Sequence, residues 1–145
     1  MSKIERFEDI QAWQQARELS KEIYRVTNNE PFTKDYSLKD KIRRASTSIM
    51  LNIAEGFARR STNEFKQFLY IAHGSAPEVQ SALYITLDQN YISDREFHAL
   101  YKQTDAISKM MVGFIKNLSF IKKALPKKDN FEVFKSLLKE LRKEI

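Results

Sequence analysis

The sequence predicts an all-α protein: an antiparallel up-and-down four-helix bundle with an additional C-terminal helix. Three observations lead there. Gly and Pro number only three each among 145 residues, which leaves few tight turns and favours long helices over many short strands. Four long segments repeat apolar residues at steps of three and four, the period of one helix face. Two segments, Ser61-Thr62-Asn63-Glu64 and Ser93-Asp94-Arg95-Glu96, are capping boxes. In each, the serine hydroxyl accepts from a free backbone N–H and the glutamate reaches back to the serine N–H. Helices joined by short links bury their stripes most simply as antiparallel neighbours.

The first helix covers about residues 10–27, with Ile10, Trp13, Ala16, Leu19, Ile23 and Val26 inward and Trp13 in the core. Asn28, Asn29 and Pro31 end it. The second covers about 38–58 and carries two stripes. Leu38, Ile42, Ala45, Ile49, Ile53 and Phe57 form an apolar one. Lys41, Ser48, Asn52, Glu55 and Arg59 form a polar one, roughly a quarter to a third of a turn away. A helix built in this way packs in two directions. Gly56, near its end, permits a close backbone approach.

The third helix covers about 62–89, with Phe65, Phe68, Ala72, Ser75, Val79, Ala82 and Leu83 inward. Pro77 lacks an N–H, so a kink near His73 and Gly74 is expected rather than a full break. The fourth covers about 94–125, with Phe97, Leu100, Thr104, Ile107, Met111, Phe114, Leu118 and Ile121 close to a strict heptad. After a break at Pro126–Asp129, Asp129 or Asn130 is placed to cap a last helix over about 131–144. Its stripe is Phe131, Phe134, Leu138, Leu141 and Ile145. We divide the chain into a bundle domain, 1–125, and a linker with an appended helix, 126–145. That last helix has three places open to it: docked on the bundle, paired with a neighbouring subunit, or mobile.

Composition narrows the function classes. Hydrophobic residues make up 42% and charged residues 30%, as in a folded soluble chain. With no cysteine there is no disulfide, thiolate metal site or thiol nucleophile. The segment MSKIERFEDIQAW is charged and has no apolar centre, so a signal peptide is not expected. No run is long enough to span a bilayer, and a cytoplasmic location without membrane contact follows as the default. The net charge is +6. Nine of the 25 basic and four of the 19 acidic residues lie from Lys116 onward. The tail therefore holds +5, and the preceding 115 residues only +1.

A family pattern runs through the residues already singled out. Phe7-Glu8-Asp9, Trp13, Ala16 and Tyr24 open it, followed by Leu38, Ile42-Arg43-Arg44-Ala45 and Ser48-Ile49. Asn52-Ile53-Ala54-Glu55-Gly56 and Arg59 come next, then Glu64-Phe65, Phe68, Ala72, Gly74-Ser75 and Glu78-Val79. The chain resembles, over about 7–118, the four-helix bundle proteins encoded in the intervening sequence of bacterial 23S ribosomal RNA (S23-like proteins). That resemblance implies an antiparallel bundle assembled as a ring-shaped homopentamer, a link to RNA, and no known catalytic activity. A similar fold serves as an accessory protein of diversity-generating retroelements. The tail after about Ser119 departs from the family pattern.

Two sets of candidate residues follow. Arg43, Arg44, Ser48, Asn52, Glu55, Arg59, Ser75 and Glu78 form a polar layer or subunit interface, in which arginines pair with Glu55 or Glu78. Lys39, Lys41, Arg60, Lys122, Lys123, Lys127 and Lys128 are candidates for phosphate contact. A catalytic reading of Ser48, Asn52 and Glu55 lacks a second carboxylate, histidine or metal partner. His73 and His98 do not make a metal site, so no cofactor or metal is expected. The aromatic residues Tyr24, Tyr70, Tyr84, Tyr91 and Tyr101 read as core or interface. The expected function is a non-enzymatic homo-oligomeric scaffold associated with RNA or another nucleic acid. The alternative is a protein-interaction scaffold or retroelement-type accessory protein that does not itself bind nucleic acid.

Overall fold

Residues 3–141 are described in a computed structural model. The helices are α1 (Gln11–Thr27), α2 (Tyr36–Ala58), α3 (Thr62–Asp88), α4 (Asp94–Lys123) and α5 (Phe131–Leu141), with 3-10 turns at Phe7–Asp9 and Phe32–Lys34. No strand occurs among the described residues. Each of the first four helices packs on its neighbours in sequence, and α4 closes back on α1. The most extensive contact is between α2 and α3 and the least extensive of the four between α1 and α4.

The apolar stripe of α2 is buried throughout, with Ile42, Ile49 and Ile53 fully enclosed. Each such side chain contributes roughly 1.5–3 kcal/mol relative to an exposed one. Two α2 neighbours fix the register. Gly56 lies so close to α3 that a Cβ there would stand 2.6 Å from the Phe68 Cβ and 3.3 Å from the Phe65 carbonyl oxygen. Only a residue without a side chain fits such an approach. At the other end, Asp35 caps α2 by accepting from the Leu38 N–H at 3.2 Å.

Several inward positions differ from the sequence reading. Trp13 is only half-buried, edge-on to Phe7 with ring centroids 5.1 Å apart, and Ala12 is buried beside it. Phe68 is half-buried, while Leu69 and Ala76 enter the core. Phe68 lies over Gly56 instead, at the rim of the α2–α3 contact. α3 runs unbroken through Pro77, which lies on the exposed side. There, water can satisfy the carbonyl that the proline leaves without a donor.

The two capping boxes form to different degrees. At α4, Ser93 accepts from the Glu96 N–H and Glu96 accepts from the Ser93 N–H. At α3, Ser61 accepts from the Glu64 N–H at 3.2 Å, but Glu64 faces Arg59, 3.9 Å away. Asp129 supplies the remaining cap. Its carboxylate accepts from the Ser61 hydroxyl at 2.6 Å and from the Thr62 N–H at 2.9 Å. Asn130, one residue on, caps α5 through the Val133 N–H at 3.0 Å.

Of the three places open to α5, the chain shows the first: it docks on α3 and α4. Phe134 meets Phe57 and Phe65 edge-on at 5.8 and 6.2 Å, and Leu137 and Leu141 are fully buried. The buried face is Val133, Phe134, Leu137 and Leu141, with Phe131 exposed and Leu138 half-buried. The expected end of the helix at 144, and Ile145 in its stripe, lie outside the described residues.

Candidate functional site

The polar stripe of α2 meets α3 along a seam. At its centre the Asn52 amide donates to the Ser48 carbonyl at 2.8 Å and to the Ser48 hydroxyl at 3.0 Å. Ser75 on α3 donates to that same hydroxyl at 3.0 Å. Serine and asparagine are short enough to bond between closely packed backbones, and the bonds satisfy groups that would otherwise be half-buried without partners. The trio is a register device.

Above this trio the seam opens into a groove of about 500 Å3 lined by Asp40, Lys41, Arg44, Ser48, Ser75 and Glu78, among others. Arg44 pairs with Asp40 at 3.1 Å along the helix. Glu78 has no ion pair among the described residues, so the groove carries both signs of charge with one carboxylate unspent. Arg59 continues the seam, 3.2 Å from Glu55 and 5.1 Å above the Phe68 ring.

Arg43 faces the other way. Its guanidinium donates to Thr27 Oγ1 at 2.8 Å and to Asn28 Oδ1 at 2.9 Å, and lies 4.3 Å from the centre of the Tyr24 ring. No carboxylate pairs with it among the described residues. It sits on the α1 side of α2, away from both Glu55 and Glu78, and locks the first helix to the second.

The phosphate candidates divide between the two ends of the bundle. Lys39, 5.0 Å over the Tyr36 ring, and Lys41, in the groove, are near the start of α2. Arg60 stands at its far end, about 30 Å away at 1.5 Å per residue. With Arg60 are Lys122, which donates to Asn63 Oδ1, and the exposed Lys123, Lys127 and Lys128. These seven residues do not make one surface.

Sequence reasoning missed the exposed apolar residues along the seam. Leu51, one helical turn from Ser48, is 61% exposed, and Ile71, one turn from Ser75, is 52% exposed. Leu51 falls outside the apolar stripe of its helix, and that displacement is the signal that could have found it. Also missed were Lys3, Phe131, Lys135 and Lys139, which line a second groove with Arg60. Among the described residues no three His, Cys, Asp or Glu gather as a metal site, and no helix is long and apolar enough to cross a membrane.

The bundle has relatives of known shape. A crystal structure of a protein of unknown function from the S23 ribosomal protein family of Bacteroides thetaiotaomicron is 26% identical, with a TM-score of 0.66. The match covers 72% of this chain and 98% of that one. No curated protein matches the chain. The family described as 23S rRNA-intervening sequence protein matches residues 8–113, which include α1, α2, α3 and most of α4. The chain therefore belongs to the 23S rRNA-intervening sequence protein family.

Proposed function

We propose that this protein is a non-enzymatic cytoplasmic scaffold, a ring of five copies closed through the outer α2–α3 seam, that associates with RNA or another nucleic acid. One observation carries the assembly: Leu51 and Ile71 stand exposed, each one helical turn from the Ser48–Ser75 hydrogen bond that joins α2 to α3. Exposed large apolar side chains rimmed by polar residues mark an interaction site. The groove lined by Ser48 and Ser75 carries Asp40 and Glu78 beside Lys41 and Arg44, so a second copy can answer each charge with its opposite. The number five comes from the family resemblance. The nucleic-acid part is supported by the +5 charge carried from Lys116 onward, much of it at one end of the bundle.

Replacing Leu51 and Ile71 together by glutamate tests the assembly. Both side chains are exposed in the single chain, so folding should survive. The expected result is a fall in mass to 17.1 kDa with unchanged helical circular dichroism. An assembly of unaltered mass would place the interface elsewhere. Retention of RNA on a filter should fall steeply between 50 and 200 mM salt, as phosphate contacts require.

A further inference from the structure

Arg60, Phe131, Lys135, Lys139 and Lys3 line a groove of about 400 Å3 between the α2–α3 corner, α5 and the N-terminal segment. Glu5 is the one carboxylate in its lining. Lys3, Arg60 and Lys139 have no carboxylate partner among the described residues, and Lys135 has an exposed one, Glu132, at 3.3 Å. Cations lining a concave surface without matching carboxylates attract a polyanion.

The groove has a second feature, an aromatic ring among those cations. Phe131 is 48% exposed. The Lys135 ammonium lies 4.8 Å and the Arg60 guanidinium 6.0 Å from its centre. Arg60 is held in place on both sides. Its backbone takes φ +58°, a left-handed conformation unfavourable for a residue with a side chain, and its guanidinium lies 4.9 Å from the Phe57 ring. The Asp129 cap fixes the next residue, Ser61, to the segment that leads into α5.

We propose that this groove binds single-stranded nucleic acid, with a base stacked on Phe131 and the flanking phosphates on Arg60, Lys135 and Lys139. The ring favours an unpaired strand, because a base inside a duplex offers no free face, whereas stacking on an aromatic side chain accepts any unpaired base. An acidic peptide would use the cations and leave the ring idle. Apart from Arg60, every residue that lines the groove lies outside the matched span 8–113, so the site is a property of this chain's ends rather than of the common bundle. The inference rests on the nucleic-acid part of the function proposed above, and gives that association a place and a strand preference.

The test is fluorescence anisotropy at 50 mM salt with the full chain, using a labelled twelve-nucleotide oligouridine, a twelve-base-pair RNA duplex and a poly-glutamate peptide as probes. The expected order has the single strand tightest. Phe131→Ala should weaken it about tenfold, and Lys135→Gln with Lys139→Gln should weaken it and flatten its salt dependence. Circular dichroism and mass of each variant should match the parent, and the lysine pair, exposed on α5, reports on the groove even if Phe131→Ala loosens that helix. Tight binding by the parent that none of these substitutions alters would overturn the site and leave the nucleic-acid association standing. Preference for the duplex or the peptide would overturn the proposed ligand. Absence of binding to either RNA would overturn the association and the site together.

Discussion

The outer face of α1 and the outer seam of α2 and α3 belong to one bundle but meet solvent differently. α1 turns Gln14, Arg17, Glu18, Lys21 and Arg25 outward. Its exposed large hydrophobic residue, Tyr24, is partly covered by the Arg43 guanidinium. This helix has one buried stripe and one solvated face, the ordinary pattern of a surface helix. The seam instead exposes Leu51 and Ile71 beside a groove of mixed charge. It also holds a close backbone approach, at Gly56, and the serine–asparagine bonds beneath the groove. One helix satisfies its own core, while the other pair keeps apolar surface for which the chain itself has no use.

The most damaging way to break the difference is at Gly56. Gly56→Leu places a side chain where even a Cβ would collide with Phe68. It should cost about 3 kcal/mol, read as a lower urea midpoint. The same change at Gly113, where a Cβ meets nothing, should leave the midpoint the same or raise it. Next in size is Arg43→Lys. A lysine keeps the charge but cannot reproduce the fork that reaches Thr27 and Asn28 or the stacking on Tyr24. The expected loss is about 1 kcal/mol, with no change in assembly, because Arg43 serves the α1 side. On the outer face of α1, Glu18→Ala should move stability by less than about 0.5 kcal/mol and leave the mass unchanged.

The smallest effect is a titration. Tyr91 stacks on Phe32 at 4.8 Å and donates to Asp35 Oδ2 at 3.0 Å. That hydrogen bond, with desolvation and the Asp35 charge behind it, raises the pKa of the hydroxyl above the ordinary tyrosine value. A raised folded value means that the contribution to stability is complete below about pH 10 and is lost as pH rises through the folded value. Ultraviolet titration should show one tyrosine ionising later than the others, and Tyr91→Phe should remove that late step.

What was legible in the sequence was mostly local. The α2 stripe and the Ser93 box depend on residues three or four apart, and both stand as read. The α5 face was not legible, because Phe131-Phe134-Leu138-Leu141 and Phe134-Leu137-Leu141 are overlapping three-four series. Only the aromatic cluster of Phe57, Phe65 and Phe114 selects the second. Asp129 as a cap for α3 was hidden for the same reason, since its partners lie 67 and 68 residues away. At the seam, Ser48 and Asn52 were readable as a polar layer or a subunit interface, and the bonds they make with each other and with Ser75 lie within the chain. The uncovered Leu51 and Ile71 were not singled out, because the helical repeat was read for the residues facing the core and not for the apolar ones left off that face.

The measurement closest to the centre of this account is the mass of the unaltered protein by light scattering at micromolar concentration. Closure through the α2–α3 seam predicts a single species at five times the 17.1 kDa chain mass. A species of 17.1 kDa at every concentration would contradict it, and the exposed side chains of the seam would then belong to a lone bundle.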